Sequence, residues 1–192
     1  MVKTMLGFCG YARVGKDSAA KELARQAYDH SFVQLGFADE LKNDLQACID
    51  WCKGYGIDIN SPEFKERFRP MWVEWSKVAK AVAQDKLVWV KRADALAKKL
   101  QAQNIIPTFC DVRYDYEIDY IYENGGEVIF IQRPGFTPRN QEEADSFKII
   151  DERFVSLQRT NTILNDTTMK NLGENVFNLL VNRGVFDRID TL

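Results

Sequence analysis

Apolar and polar residues follow two rhythms along this chain. Short, nearly unbroken apolar runs occur at Met5–Cys9 (MLGFC), Phe32–Phe37 (FVQLGF), Ile105–Cys110 (IIPTFC), Glu127–Gln132 (EVIFIQ) and Thr162–Leu164. Their length and flanking turn residues predict five strands, with Pro107 an awkward guest for a strand interior. Between them, apolar residues return every three or four positions, which predicts helices. The first runs from Lys16 to about Tyr28 on Ala19, Ala20, Leu23, Ala24 and Ala27. A second follows Asp39, with Leu41, Leu45, Cys48, Ile49 and Cys52 on one face. After the turn-rich KGYGIDINSP, Ser61-Pro62 opens a helical region reaching about Ala83, with Pro70 a candidate bend. Further helices are expected over Leu87–Gln101, Asp115–Glu123 (stopped by Asn124-Gly125-Gly126), beyond the polar loop 133–143, and over Met169–Arg183. Strands alternating with helices predict an α/β fold, a five-stranded parallel sheet flanked by helices, with ligands at the carboxyl ends of the strands.

One junction carries chemistry. Between the first strand and its helix lies Gly10-Tyr11-Ala12-Arg13-Val14-Gly15-Lys16, which fits GxxxxGK in the required strand-to-helix setting. The two glycines let the backbone curl so that amides point inward, the helix N-terminus adds partial positive charge, and Lys16 adds a mobile full charge. A strand, a turn and a solvated lysine is the bland alternative, and the matching flanks argue against it. Asp17 stands where a magnesium-ligating hydroxyl is usual, and the hydroxyl comes one residue later, as Ser18. Asp17 is either a metal ligand or an ordinary first-turn acid favoured by the helix dipole.

Composition narrows the partners. The 192 residues are 45% hydrophobic and 28% charged with a net charge of −2, enough for one domain with a substantial core but without a basic stripe for nucleic acid. The four cysteines and single histidine fall at no metal-ligand spacing, and Cys9 and Cys110 sit in apolar runs as expected of reduced core thiols. No apolar stretch approaches membrane-spanning length and the start lacks a signal-peptide pattern, so a cytoplasmic location is expected. The apolar residues of the long helices leave a homodimer open.

Several stretches resemble, in order, the phage-type deoxynucleoside monophosphate kinases of the P-loop nucleoside monophosphate kinase family. GYARVGKDSAAKEL is similar to their phosphate-loop start, and LGFADELKNDL to the segment after the second strand. RFRPMWVEWSKVAKAVAQDKLVWVK resembles their substrate region in degenerate form. FCDVRYDYEIDYI resembles their DVR motif, VIFIQRPG the strand leading to the lid, and TILNDTTMKNL the C-terminal segment, with Thr167 where the family has glycine. The resemblance implies one P-loop kinase domain over 1–192, a helical substrate-binding insertion at 39–103 and a lid at 133–147. It implies ATP with Mg²⁺ bound by Gly10–Ser18, and transfer to a nucleoside monophosphate, in the host cytoplasm if the chain is phage-encoded. Another small phosphorylated acceptor, such as a coenzyme A precursor, and an inactive nucleotide-binding protein are the alternatives.

The cation inventory follows from phosphoryl transfer, which needs phosphates held in line and positive charge around the moving group. Lys16, Arg13, Arg133 and Arg139 are the catalytic candidates, the last two flanking the lid turn. Asp39, Lys42, Arg69 (preferred over Arg67), Trp72, Asp111 and Arg113 are the acceptor-side candidates, Trp72 and Trp75 being equally explicable as core. Asp17, Ser18 and Asp111 are the metal candidates, and Asn165 and Asp166 are placed at the adenine. Arg153 and Arg159 are further candidate cations, and an Asp111–Arg113 ion pair is the structural alternative for that motif.

Overall fold

The computed structural model describes residues 4–27, 29–157 and 161–186. They form five strands and eight helices: β1 (Leu6–Cys9), α1 (Lys16–Gln26), β2 (Ser31–Leu35), α2 (Asp39–Asp44), α3 (Gln46–Gly54), α4 (Pro62–Ala83), α5 (Val88–Ala102), β3 (Ile105–Val112), α6 (Asp115–Glu123), β4 (Glu127–Gln132), α7 (Gln141–Ser156), β5 (Thr162–Leu164) and α8 (Met169–Asn182). The strands pair in the order β2-β3-β1-β4-β5, all parallel. The fold class expected from the alternating pattern is the one observed.

The chain divides into two compact units, residues 36–96 and the remainder. In the larger one, β1 lies at the centre of the sheet and is buried throughout. Leu6 and Phe8 join Ala19, Ala20 and Leu23 of α1 and Leu172, Val176 and Leu180 of α8 in one cluster. The apolar spacing of α1 therefore faces the sheet and α8 together, which fixes the helix whose first turn carries Lys16. The helices come close at Gly173, where a Cβ would lie 2.6 Å from the Glu22 Cβ and 3.0 Å from its carbonyl carbon.

The smaller unit is helical. Its buried residues include Phe37, Leu41, Leu45, Ile49 and Phe64, and Trp89 donates its indole N–H to Ser76 Oγ at 2.9 Å. Arg92 spans Glu40 and Asp44 at 3.0 and 2.8 Å. Ser61 caps α4 by accepting the Phe64 N–H at 3.1 Å, with Pro62 in the first turn, as the sequence implied.

One local expectation is corrected, and both prolines fall inside the elements expected of them. The helix after Asp39 is two helices, because the chain turns at Leu45. Pro70 lies inside α4 without ending it. Pro107 is accommodated in an interior strand: it sits opposite Val33 of β2, and the β1 ladder begins one residue later, at Thr108. The missing N–H therefore falls at the margin of the three-strand overlap.

Gly173→Val should destabilise the fold by about 1–3 kcal/mol, because the backbone of α1 must move. Gly54→Ala, with nothing within 4 Å of the added carbon, should be neutral or slightly stabilising. Urea denaturation of both variants checks the contrast; equal effects would contradict the close approach.

Candidate functional site

The turn between β1 and α1 curls through three left-handed residues: Gly10 (φ 140°), Arg13 (φ 67°) and Gly15 (φ 102°). Alternating handedness of this kind aims successive amides into a concavity. A Cβ on Gly10 would lie 2.3 Å from the Ile131 carbonyl oxygen, and one on Gly15 would lie 2.6 Å from Asn165 Nδ2. Both glycines are required by space as well as by dihedral angle. Gly15 is the N-cap of α1 and offers no side chain, so the first amides of that helix carry no side-chain cap. Arg13 is exposed and takes a conformation that costs a non-glycine residue roughly 1–2 kcal/mol.

Lys16 reaches back over this turn. Its Nζ donates to the carbonyl oxygens of Gly10 at 2.7 Å and Tyr11 at 2.9 Å. An ammonium has three donors, so one remains for an anion. Burial holds the Lys16 ammonium below its ordinary pKa, Arg113 adds repulsion, and Asp17, Cys9 and Glu143 partly offset both. Beneath it, the buried Cys9 thiol donates to the Ile129 carbonyl and is pushed far up by desolvation, so it remains neutral.

Neighbouring elements hold the turn in place. Asn165, after β5, is buried and donates Nδ2 to the Val14 carbonyl at 2.7 Å, while its own N–H bonds Gln132 at 2.7 Å. Its amide braces the β1–α1 turn. Glu143, in the first turn of α7, accepts the Ala12 N–H at 2.9 Å and the Arg139 N–H at 2.6 Å. Tyr11 sets its ring edge-on against Phe147, centroids 4.6 Å apart.

Asp111 and Arg113 lie at the carboxyl end of β3, beside β1. No Asp111–Arg113 ion pair forms among the described residues. The Arg113 side chain is exposed and takes no hydrogen bond or ion pair there, but its backbone is gripped. Its N–H bonds Glu117 at 2.7 Å, and its carbonyl accepts from Ser146 Oγ of α7. Glu117 also takes the Tyr114 N–H at 3.1 Å. That carboxyl is buried, and desolvation, with Asp111 adding to it, pushes its pKa up to about 8.

A cavity of about 550 Å³ opens at the carboxyl end of β4. Its walls include Tyr11, Phe130, Arg133, Phe136, Phe147 and Leu164. Arg133 lies over the Phe136 ring at 4.9 Å. Asp17 is exposed and Ser18 half-buried at the start of α1. With Asp111 they offer oxygen donors of the kind Mg²⁺ takes alongside phosphate oxygens and water. No cluster of three His, Cys, Asp or Glu residues occurs among the described residues.

In the helical unit, Asp39 accepts the Gly36 N–H at 2.6 Å and pairs with Lys42 at 2.8 Å. Arg67 pairs with Glu63 at 3.6 Å, whereas the half-buried Arg69 has no ion pair or hydrogen bond among the described residues. Trp72 ends a ring ladder with Phe64 and Phe68, centroids 5.0 and 5.2 Å apart, and its buried indole N–H lacks a partner. Trp75 donates to Asp44 at 3.2 Å. Arg153 is committed to Asp119 of α6 at 2.6 and 2.8 Å, and Arg159 lies outside the described residues.

Sequence reasoning missed Glu143, Ser146 and Glu117. The first had a signal: Asn140-x-x-Glu143 is a capping pattern, and Asn140 does accept the Glu143 N–H at 2.9 Å. Ser146 had none, because its partner lies 33 residues away.

Comparison with known proteins is consistent with this geometry at the level of fold. A dephospho-CoA kinase from Campylobacter jejuni superposes with a TM-score of 0.50 at 15% identity, over 97% of this chain and 100% of that one. Shikimate kinase from Aquifex aeolicus aligns at 14% identity and a TM-score of 0.46, over 94% of this chain and 98% of its own. No family model and no curated protein matches the sequence. The chain thus shares its fold with that dephospho-CoA kinase.

Two outcomes follow from the strained arginine and the buried acid. Arg13→Gly should gain ~1 kcal/mol of stability by relieving the left-handed residue, measured by urea denaturation. For Glu117, the folded chain keeps a proton between pH 4.5 and about 8 that the unfolded chain has released. Its contribution is full below the unfolded value and is lost as pH rises through about 8. Glu117→Gln should therefore flatten the fall in stability over that window, and an unchanged slope would contradict the assignment.

Proposed function

We propose that this protein is an ATP-dependent phosphotransferase that passes a phosphoryl group to a nucleoside monophosphate, giving the diphosphate. The observation that carries the reading is the electropositive site at the carboxyl ends of adjacent strands. Lys16 is buried in the β1 turn, and Arg113, from the end of β3, is close enough to depress its pKa further. Two cations that destabilise each other are stabilised by an anion lying between them. A triphosphate tail on the Gly10–Ser18 amides and an acceptor phosphate at Arg113 supply that anion.

The chemistry is then positional. An acceptor phosphate oxygen is already ionised near neutral pH, so no general base is needed. It attacks the terminal phosphorus, the bond to the bridging oxygen breaks, and ADP departs with that electron pair. Lys16 and Arg13 stabilise the charge that spreads over the moving group, and Arg133 and Arg139 of the loop after β4, read as a lid, add to it. Asp17, Ser18 and Asp111 would hold Mg²⁺, which supplies charge neutralisation at the phosphates when bound. The aromatic cavity beside Tyr11 fits the donor base, with Asn165 supporting the loop. Arg69, Lys42, Asp39 and Trp72 of the helical region at 39–103 remain the sequence's acceptor-side candidates, Arg69 being favoured over the already paired Arg67.

The acceptor class rests on the DVR motif and the ordered resemblance of the segments around it. A panel of common monophosphates with ATP and Mg²⁺, following ADP release, tests it. Turnover is expected with at least one of them. Lys16→Ala should lose on the order of 10²–10³ in kcat or more with the melting temperature preserved. Unchanged activity in that variant would remove the loop from the mechanism. ATP-induced thermal stabilisation without turnover on any acceptor would mark a nucleotide-binding protein that does not catalyse.

A further inference from the structure

Helix α7 touches both halves of the proposed reaction with one face. Glu143 and Ser146 are three residues apart in its first two turns, so they point the same way. The Glu143 carboxylate holds the Ala12 amide of the phosphate loop, and its second oxygen holds the Arg139 amide of the following loop. The Ser146 hydroxyl holds the Arg113 carbonyl. The rest of the helix is fastened to the sheet unit. Phe147 and Phe154 stack on Phe130 of β4 at 5.8 and 6.2 Å, Ile150 is fully buried, and Arg153 is bound to Asp119 of α6. Sliding α7 along its axis would break every one of these contacts.

We propose that Glu143 and Ser146 are positioning residues, and that α7 is a rigid bracket fixing the separation between the donor phosphate loop and the acceptor arginine. The inference rests on the phosphotransferase reading for the roles of those two ends, but the bracket itself is a matter of geometry. Its physical logic is that in-line transfer tolerates little error in distance, a displacement of about 1 Å costing as much as 10²-fold. β1 and β3 are neighbours, yet the catalytic groups sit on turns beyond their ends, outside the ladder that pairs the strands. A helix side chain holds each turn in place. Glu117 completes the grip by holding the other side of the Arg113 peptide.

The test is a double-mutant cycle on the full chain with Glu143→Ala, Ser146→Ala and both together, with Ser146→Thr as the conservative rescue. Glu143→Ala should raise the KM for ATP, and Ser146→Ala the KM for the acceptor, each about tenfold, with the other KM within about twofold. Each should lower kcat. The double variant should lose little more kcat than the worse single one, because a bracket released at either end no longer sets the distance. Ser146→Thr should restore the acceptor KM. Losses that simply multiply, or a failed threonine rescue, would overturn the bracket. Amide hydrogen exchange at Ala12 and Arg139 separates this from the enzymatic reading. Both amides should exchange faster in Glu143→Ala even if no acceptor is ever turned over, and unchanged exchange would overturn the bracket by itself.

Discussion

The β1–α1 turn leads into a helix whose first amides take no side-chain cap among the described residues. The cap is a glycine, and three left-handed residues aim the loop amides into one concavity. Lys16 sits over this turn, partly desolvated, and donates to the turn's own carbonyls. Such an arrangement costs free energy in the folded chain and recovers it when an anion arrives. The positions of β1, α1 and α8 follow from this need. The central strand is buried so that its end is fixed, and the α1–α8 interface is closed at Gly173 so that the helix bearing Lys16 cannot drift.

Parallel topology then decides what can meet that anion. With order β2-β3-β1-β4-β5, the strand ends flanking the loop are those of β3 and β4. The first delivers Asp111 and Arg113, the second the aromatic cavity and the arginine-bearing loop. Helix α7 returns along β4 and reaches across to both. Its aromatic contacts fix its own position, and its polar contacts hold the two neighbouring turns.

Much of this was legible in the sequence because it is local. Strand limits at 127–132 and 162–164, the Ser61-Pro62 helix start and the glycine-bearing β1–α1 turn all announce themselves within a few residues. The break at Leu45 was hidden, because Leu41, Leu45, Ile49 and Cys52 keep helical spacing on both sides of it and each is buried. Pro107 was awkward in the expected strand for the opposite reason: its tolerance depends on where the β1 ladder begins, which no local pattern records. The site showed the same division. Lys16 and Arg113 were visible by motif, whereas Asn165 as a brace and Ser146 as a clamp depend on partners 151 and 33 residues away.

The pairing of charges carries a last argument. This chain is acidic overall, so carboxylates are available to neutralise its cations, and several cations take them. Arg92 takes Glu40 and Asp44, Arg153 takes Asp119, Lys42 takes Asp39 and Lys53 takes Asp50. At the sheet's carboxyl edge the pattern differs. Among the described residues, Arg13, Arg113 and Arg139 make no ion pair. The nearby carboxylate of Glu143 is spent on two backbone amides, and that of Glu117 is buried and held largely protonated near neutral pH. Two acids at this edge are thus used to hold backbone instead. Surface pairs are worth little in stability, so leaving a few cations unpaired costs the fold almost nothing. It preserves a local positive field on an otherwise negative molecule, as the proposed binding of two phosphorylated ligands would require.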